Sequence, residues 1–494
     1  MLFNSAAYML FLPVVVLLYW LLPFRYRTLF LLAASYFFYM TWKPIYGILI
    51  IGLTAFNYFA GLKLAASPTR KGLYLTLGVA ANLLILAYFK YTYLAIDAVN
   101  GIATAAGAAK FSYPVEQIIL PLGISFFAFE FIHYLVDVYR GHKPIKAPLE
   151  FALFPSFFPT QIAGPIKRYQ DFVPQLHTPR TFSIKQFDQG VELILWGLCR
   201  KVLLADNIAV VVDKCLAHPE LLSSADTWLI FYAFAFQVYF DFSAYTDIAR
   251  GSAALMGFSV PINFDLPYLS GSMREFWRKW HLSLSTWLRD YLFVPLGGSK
   301  GTFVKTLFIT LVVMTLCGLW HGAGFNYVMF GFMHGVLLVG NRLWRAFVEN
   351  KANPLSPFLM KLTAAPQFYP FAVFINFQFY ITTLVFFRLN DWKNIGITYQ
   401  RLLFMNQPAG LGAFDLTIPT IEGPANYAIL PVLVAILILA QILTKLLRDE
   451  KETPGVLNLP NWLTPLRPAY LAALAVLLLL FAPDGTPSFI YFQF

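Results

Sequence analysis

Long apolar stretches recur along the whole chain, and they restrict its fold more than any other feature. Examples are residues 8–24, 118–136, 306–319 and 469–482. A membrane-spanning helix needs about 20 mostly apolar residues, and hydropathy marks roughly eleven candidate segments here. Because 59% of the 494 residues are hydrophobic and only 12% are charged, a soluble core could not hold them all. We therefore predict an all-α polytopic membrane protein, with residues 1–494 forming one membrane domain.

Basic residues lie in short segments between the apolar runs, and their order predicts the topology. Arg25 and Arg27 follow the first apolar run, which is the reverse of the order in a secretory signal. Because positive loops favour the cytosolic side, we expect both the N-terminus and the C-terminal segment 484–494 outside the cytosol. The net charge of +11 then suits membrane lipids and an anionic cofactor, and nucleic acid is not expected.

Two regions depart from the pattern of simple spans. Residues 151–165 are apolar but short and contain two prolines followed by a Gly-Pro pair, so we interpret them as a re-entrant hairpin. Residues 266–300 are amphipathic and rich in basic side chains, which are too costly to expose to lipid. We predict helical pieces there, at the cytosolic surface or lining an inward-facing cavity.

Histidines within apolar sequence are the strongest candidates for chemistry. His321 stands in Trp320-His321-Gly322, at the end of an apolar run. A neutral imidazole, with a reference pKa of about 6.5, suits a general base at neutral pH. Gly318 and Gly324 nearby would let backbone or a narrow substrate approach closely. A histidine that only hydrogen-bonds between packed helices is an equally good interpretation of the position alone.

Other polar residues in apolar sequence give weaker signals. His281 lies among Trp and basic residues in 277–283, which could bind a nucleotide-like anion but by composition alone favour a membrane-interface belt. His334 has no nearby carboxylate or cysteine to complete a site, so we expect no metal. Cys317 lies one helical turn before His321, and a small apolar filler is a better interpretation than a nucleophile.

Carboxylates in apolar sequence need partners. Asp241 and Asp247 form a polar stripe, and Asp247 can pair with Arg250 at helical spacing. Structural pairing is therefore the preferred interpretation of this stripe. Glu130 and His133 have the spacing of half a di-metal site, but no second copy follows, so we do not expect a metal site there.

The chain ends in Phe489-Ile490-Tyr491-Phe492-Gln493-Phe494. So aromatic a segment is expected to fold back into the protein or the membrane. The phenol of Tyr491 can be acylated if a base takes its proton, although an interface anchor is the simpler interpretation of the sequence alone.

Several segments together resemble the membrane-bound O-acyltransferase (MBOAT) family, and within it the branch that includes the membrane subunit of bacterial alginate O-acetylation. The resemblance runs from Phe3 almost to the C-terminus. The segments that carry it are Gln161-Ile162-Ala163-Gly164-Pro165, Tyr239-Phe240-Asp241-Phe242-Ser243, Asn263-Phe264, Pro267-Tyr268, residues 275–291, Gly297-Gly298 and Gly318-Leu319-Trp320-His321-Gly322.

The resemblance implies a fold and a set of site residues. The fold is a ring of roughly eleven transmembrane helices, with re-entrant and interfacial helices, around a central tunnel. The family's catalytic histidine falls on His321 and its second histidine on His281, whereas Cys317 stands where glycine is expected and Lys279 where arginine is expected. The implied tunnel and acyl-coenzyme A (acyl-CoA) contacts are Trp277, Arg278, Lys279, Trp280, Ser283, Arg289, Trp320 and His334.

The resemblance also implies a function. The chain would be an O-acetyltransferase of a bacterial inner membrane, with acetyl-CoA as donor substrate and no permanently bound cofactor. Tyr491 would be an acyl relay to an extracytoplasmic SGNH-type acetyltransferase, beside polysaccharide secretion machinery that exports alginate or a similar polymer. Peptidoglycan or cellulose is an alternative acceptor. A transporter or secretion subunit is a further alternative, but the internal repeats typical of transporters are not found.

Overall fold

The chain is helical throughout most of the part that a computed structural model describes, which is residues 1–109, 111–112, 118–404, 435–439, 441–442, 467–481 and 489. Within these residues the one extended pairing is a bridge between Phe264 and Trp280. The α-helices are α1 Ala6–Leu21, α2 Phe24–Met40, α3 Pro44–Ala66, α4 Lys71–Ala105, α5 Ile124–Tyr139, α6 Pro148–Ser156, α7 Tyr169–Phe172, α8 Pro174–His177, α9 Ile184–Leu198, α10 Asp206–Ala217, α11 Ser224–Leu255, α12 Met273–Trp277, α13 Leu282–Leu288, α14 Phe303–His321, α15 Phe325–Val348, α16 Ser356–Ala364, α17 Phe368–Arg388, α18 Trp392–Phe404 and α19 Arg467–Phe481. Short 3₁₀ turns cover Pro68–Arg70, Pro219–Leu221 and Pro267–Leu269, and π-helical turns cover Cys199–Ala205 and Arg289–Phe293.

Four helices in the described part are long and apolar enough to cross a membrane. They are α3, the continuous segment Pro68–Ala105, α14 and α17, and two further helical stretches, Ala6–Leu21 and Pro468–Leu478, are apolar but shorter. Within the bilayer a helix satisfies all its backbone hydrogen bonds internally. The prediction of an all-helical multi-pass membrane protein is confirmed.

The chain divides into two compact units. The first contains Met1–Leu195 and Tyr245–Pro261, and the second contains Trp196–Ala244 and Ile262–Ile490. Helices α9 and α11 contribute residues to both.

The first unit is built around α5, which is buried along almost its whole length. In the neighbouring helices α3 and α4, Asn57 and Asn82 exchange side-chain hydrogen bonds of 3.1 and 2.8 Å. Such reciprocal pairing satisfies amides that would otherwise be costly between membrane helices. Glu130 on α5 forms a buried ion pair with Lys167 at 2.9 Å, so this carboxylate has a structural partner.

The predicted break in residues 151–165 is present. Helix α6 ends at Ser156, and residues 157–168 are irregular yet almost wholly buried. Gly123 has a φ of 73°, and a Cβ there would lie 2.8 Å from the carbonyl oxygen of Gln161, so this close approach requires glycine. The predicted pairing of Asp247 with Arg250 is also confirmed, at 3.1 Å.

In the second unit, residues 266–300 form the short helical pieces that their sequence predicts. They comprise the 3₁₀ turn at Pro267–Leu269, α12, α13 and the π-turn Arg289–Phe293. The longer helix α15 packs against both α14 and α17, and these three helices contribute to the candidate site.

Candidate active site

The helical hairpin of α14 and α15 positions two of the predicted histidines. The two helices cross at Gly318 and Gly331, where a Cβ on Gly318 would lie only 2.6 Å from the amide nitrogen of Gly331. His321 lies three residues after Gly318 and ends α14, and His334 lies three residues after Gly331. The close backbone approach anticipated at Gly318 is therefore made by the partner helix, and it fixes the separation of the two imidazoles.

His321 lies in a largely aromatic setting. Its ring centroid is 4.9 Å from that of Trp320 and 5.8 Å from those of Phe330 and Phe387. Its exposed fraction is 7%, compared with 0% for His281 and 1% for His334. His321 is thus the most accessible of the three imidazoles while remaining shielded from bulk water.

The backbone holds His281 in the left-handed region, with φ 44° and ψ 58°. A non-glycine residue there is strained by roughly 1–2 kcal/mol and needs support from its surroundings. Asn263 supplies that support, because its carbonyl accepts from Leu282 N at 3.0 Å and its side chain accepts from Ser283 N at 3.2 Å and Ser283 Oγ at 2.7 Å. Burial lowers the pKa of His281 to about 3, so its ring is neutral at physiological pH.

The hydrogen bond between His334 and Thr383 indicates which ring nitrogen of His334 carries the proton. Thr383 Oγ1 donates to the carbonyl of Tyr380 at 2.7 Å and lies 3.0 Å from His334 Nε2. Because a hydroxyl has a single proton, Thr383 accepts from Nε2–H, and Nδ1 of His334 keeps its lone pair. Nδ1 is buried and has no hydrogen-bond partner among the described residues.

Aromatic rings connect the three histidines. The Trp320 ring lies 6.2 Å from His281 and 4.9 Å from His321, and the Phe330 ring lies 5.8 Å from His321 and 4.6 Å from His334. Three separate chain segments thus bring their imidazoles into one aromatic cluster. Low polarity around these imidazoles strengthens any hydrogen bond that they make to a substrate.

The tryptophans and Ser283 of the predicted acyl-CoA set are buried inside the protein. Trp277, Trp280 and Ser283 are all buried. The ring of Trp277 is 5.3 Å from that of His334, so it belongs to the same aromatic cluster. Tyr491 lies outside the described residues.

The basic residues of the predicted set differ in their surroundings. Lys279 Nζ donates to Glu275 Oε1 at 2.7 Å, and Arg289 Nε donates to Asp290 Oδ1 at 2.7 Å. Arg278 is exposed. Partial burial and the positive charges of Arg278, Arg345 and Arg342 lower the pKa of Arg274. We call these four arginines, 274, 278, 342 and 345, the arginine cluster.

Glu275 is a residue that the sequence reasoning did not single out. It accepts from Lys279, from Tyr369 Oη at 2.9 Å and from Gly271 N at 2.9 Å. Burial alone would raise the pKa of Glu275, but these hydrogen bonds outweigh it and hold that pKa below its ordinary value. The signal in the sequence is the Ser-x-x-Glu capping pattern at Ser272, whose Oγ accepts from Glu275 N at 3.2 Å.

Comparison with known proteins places this site within a matched region. The model of the MBOAT, membrane-bound O-acyltransferase family, matches residues 136–387, a range that includes all three clustered histidines. A probable alginate O-acetylase of Azotobacter vinelandii is 43% identical over 350 residues, which is 70% of this chain and 69% of that protein. A probable alginate O-acetylase of Pseudomonas putida is 45% identical over 69% of this chain and 71% of its own length. A peptidoglycan O-acetyltransferase of Helicobacter pylori is 34% identical over 70% of this chain and 71% of its own length.

Proposed function

The chain belongs to the membrane-bound O-acyltransferase family, and from that premise we propose that it acetylates an exported polysaccharide of the alginate type. It is an acyltransferase of a multi-pass membrane protein family. The observation that carries the proposal is the identity of 43% and 45% to two probable alginate O-acetylases, over a family match that contains the aromatic histidine cluster. The lower identity of 34% to a peptidoglycan O-acetyltransferase makes peptidoglycan the second candidate acceptor.

His321 is the general base of the proposed reaction. Its imidazole takes the proton of an acceptor hydroxyl as that oxygen attacks the carbonyl carbon of an acetyl thioester. The new C–O bond forms, the C–S bond breaks, and the leaving thiolate takes the proton back from His321. General-base catalysis of this kind contributes typically 10²–10⁴-fold. His281, which is neutral, donates a hydrogen bond to the carbonyl oxygen as negative charge develops there.

The donor is acetyl-CoA, and the arginine cluster binds its phosphates. Arg278 is exposed and makes no ion pair with a carboxylate in the described part of the chain, whereas Lys279 is neutralised by Glu275 at 2.7 Å. Guanidinium groups form forked hydrogen bonds with phosphate oxygens. Arg345 of the cluster is paired with Glu349 at 3.0 Å. Lys279 therefore fixes the loop, and Arg278 with Arg274 and Arg342 contacts the donor.

The acetyl group leaves the enzyme on the extracytoplasmic side of the membrane. A ring of roughly eleven helices surrounds a tunnel that joins the two faces, and both termini lie outside the cytosol. The phenol of Tyr491 is the first acceptor and an extracytoplasmic SGNH-type partner is the second, which decorates the polymer beside the secretion machinery of a bacterial inner membrane. Each transfer exchanges one ester or thioester bond for another and needs no further reagent.

Alanine or glutamine at His321 tests the proposal. The variants are expressed in a host whose own gene is deleted, and the acetyl-ester content of the exported polymer is measured together with the amount exported. We expect acetylation to fall at least 10²-fold with export unchanged, while the exposed His142→Ala remains at the wild-type level. Wild-type acetylation in His321→Ala would refute the mechanism, and lost export with acetylated retained polymer would favour a transporter or secretion subunit.

A further inference from the structure

A buried cation lies in the second unit, outside the histidine cluster. Lys201 is 1% exposed, and its Nζ lies 2.6 Å from Asp241 Oδ1 and 2.8 Å from Asp206 Oδ1. It sits within the π-helical turn Cys199–Ala205. Turns of this type are rare and occur frequently at functional sites. We call Lys201, Asp206 and Asp241 the lysine cluster.

The ring of Phe489 lies on this cluster. Lys201 Nζ is 4.5 Å from the ring centroid, which is the geometry of a cation–π contact. Phe489 is itself only 1% exposed. It is the described residue of the aromatic tail, and its ring contacts Lys201.

Stability alone is a weak reason for such a cluster. Removing a lysine and two carboxylates from water is costly, and well-packed apolar residues often stabilise a fold as well as a buried ion pair does. A cation placed against an aromatic ring, however, selects a ring over an aliphatic side chain of similar size. The lysine cluster therefore has the chemistry of a specific seat for an aromatic residue.

We propose that Lys201, held by Asp206 and Asp241, is a positioning residue that seats the C-terminal tail through Phe489. The proposal rests on the proposed relay function of Tyr491, which follows Phe489 by two residues. Two residues of extended chain span at most about 7 Å. Fixing Phe489 therefore limits the volume that the Tyr491 phenol can search, and a relay needs its acceptor oxygen near the thioester.

Substitutions at Phe489 test the seat and leave the lysine cluster intact. Phe489→Trp keeps an aromatic face for the ammonium, Phe489→Leu keeps an apolar side chain without one, and Phe489→Ala removes both. Carboxypeptidase digestion of the purified full-length protein, followed by intact-mass spectrometry, reports how often the tail leaves its seat. Loss of the cation–π contact should speed digestion past residue 489 by about 5- to 30-fold.

We expect polymer acetylation to follow the same order, with Phe489→Trp close to wild type, Phe489→Leu reduced and Phe489→Ala lowest. A purely apolar packing role predicts that leucine restores both digestion resistance and acetylation, which would overturn the proposal. Wild-type digestion and acetylation in all three variants would overturn it too. Retained acetylation in His321→Ala would instead refute the proposed function, while the digestion order would still report on the seat.

Discussion

Gly318→Ala is expected to disable the enzyme by separating α14 from α15. The added Cβ would lie 2.6 Å from Gly331 N and 2.7 Å from Gly331 Cα, whereas an ordinary contact is 3.4–4 Å. The Cβ would also meet the carbonyl oxygen of Tyr327, and all three atoms belong to the backbone of α15, so the helices must move apart by roughly 1 Å. Overpacking of this kind costs about 1–3 kcal/mol. A displacement of about 1 Å at reacting groups can reduce the rate by about 10²-fold, and His321 lies one helical turn away.

Matched glycines on the same hairpin provide controls. A Cβ added to Gly340 on α15 would meet no atom of the described residues within 4 Å, and one added to Gly335 would have its nearest atom, Leu311 Cδ1, at 3.0 Å. Stability is measured by thermal unfolding in detergent, and activity by the acetyl content of the exported polymer. In both, Gly340→Ala should be at or slightly above wild type, Gly335→Ala intermediate and Gly318→Ala lowest. Wild-type stability and activity in Gly318→Ala would refute the argument that backbone contact fixes the histidines.

Three further changes probe the surroundings of the site. Thr383→Val removes the acceptor of His334 Nε2–H and leaves a buried donor unpaired, which should lower the free energy of unfolding by about 1–3 kcal/mol, measured by thermal unfolding beside Thr383→Ser as the conservative control. Arg278→Ala should raise the KM for acetyl-CoA several-fold, with a larger effect at low salt, whereas Lys279→Ala should chiefly lower stability. If the two variants had equal KM values for acetyl-CoA, the assignment of the donor phosphates to Arg278 would be contradicted. Asn263→Ala removes the side chain that accepts two hydrogen bonds from Ser283, next to His281, so kcat should fall by a larger factor than KM changes. An unchanged kcat would show that His281 does not need the support of Asn263.

Local features of the sequence predict the helices and their interruptions. Hydropathy is sufficient for α14 and α17, and the prolines of residues 151–165 favour an early end of the helix, with α6 ending one residue after Pro155. The partners of the site residues depend instead on how distant segments pack. Thr383 is 49 positions from His334, and Tyr369 is 94 positions from Glu275, so no local pattern could pair them.

The sequence contains a signal for the ion pair between Lys279 and Glu275, but the basic residues next to Lys279 suggest a different role for it. Its neighbours suggest a common role with Arg278, because basic residues close in sequence favour a single basic surface. Successive residues of a helical turn point in different directions, however, and Glu275 precedes Lys279 by four positions, the spacing of a helical ion pair. That spacing and the capping pattern at Ser272 together predict the contact that the structure contains, at 2.7 Å.

The left-handed backbone of His281 allows strain and chemistry to be separated. His281→Ala and His281→Gly both remove the imidazole, so both should lose acetylation. They differ in the backbone, because alanine keeps the steric clash at φ 44° and glycine does not. Glycine should therefore be the more stable of the two by about 1 kcal/mol, the reverse of their order in a helix interior. Thermal unfolding of the two variants measures this difference. If alanine were the more stable, the left-handed conformation would not be imposed by the surrounding hydrogen bonds, and the account of how Asn263 holds the ring in place would be wrong.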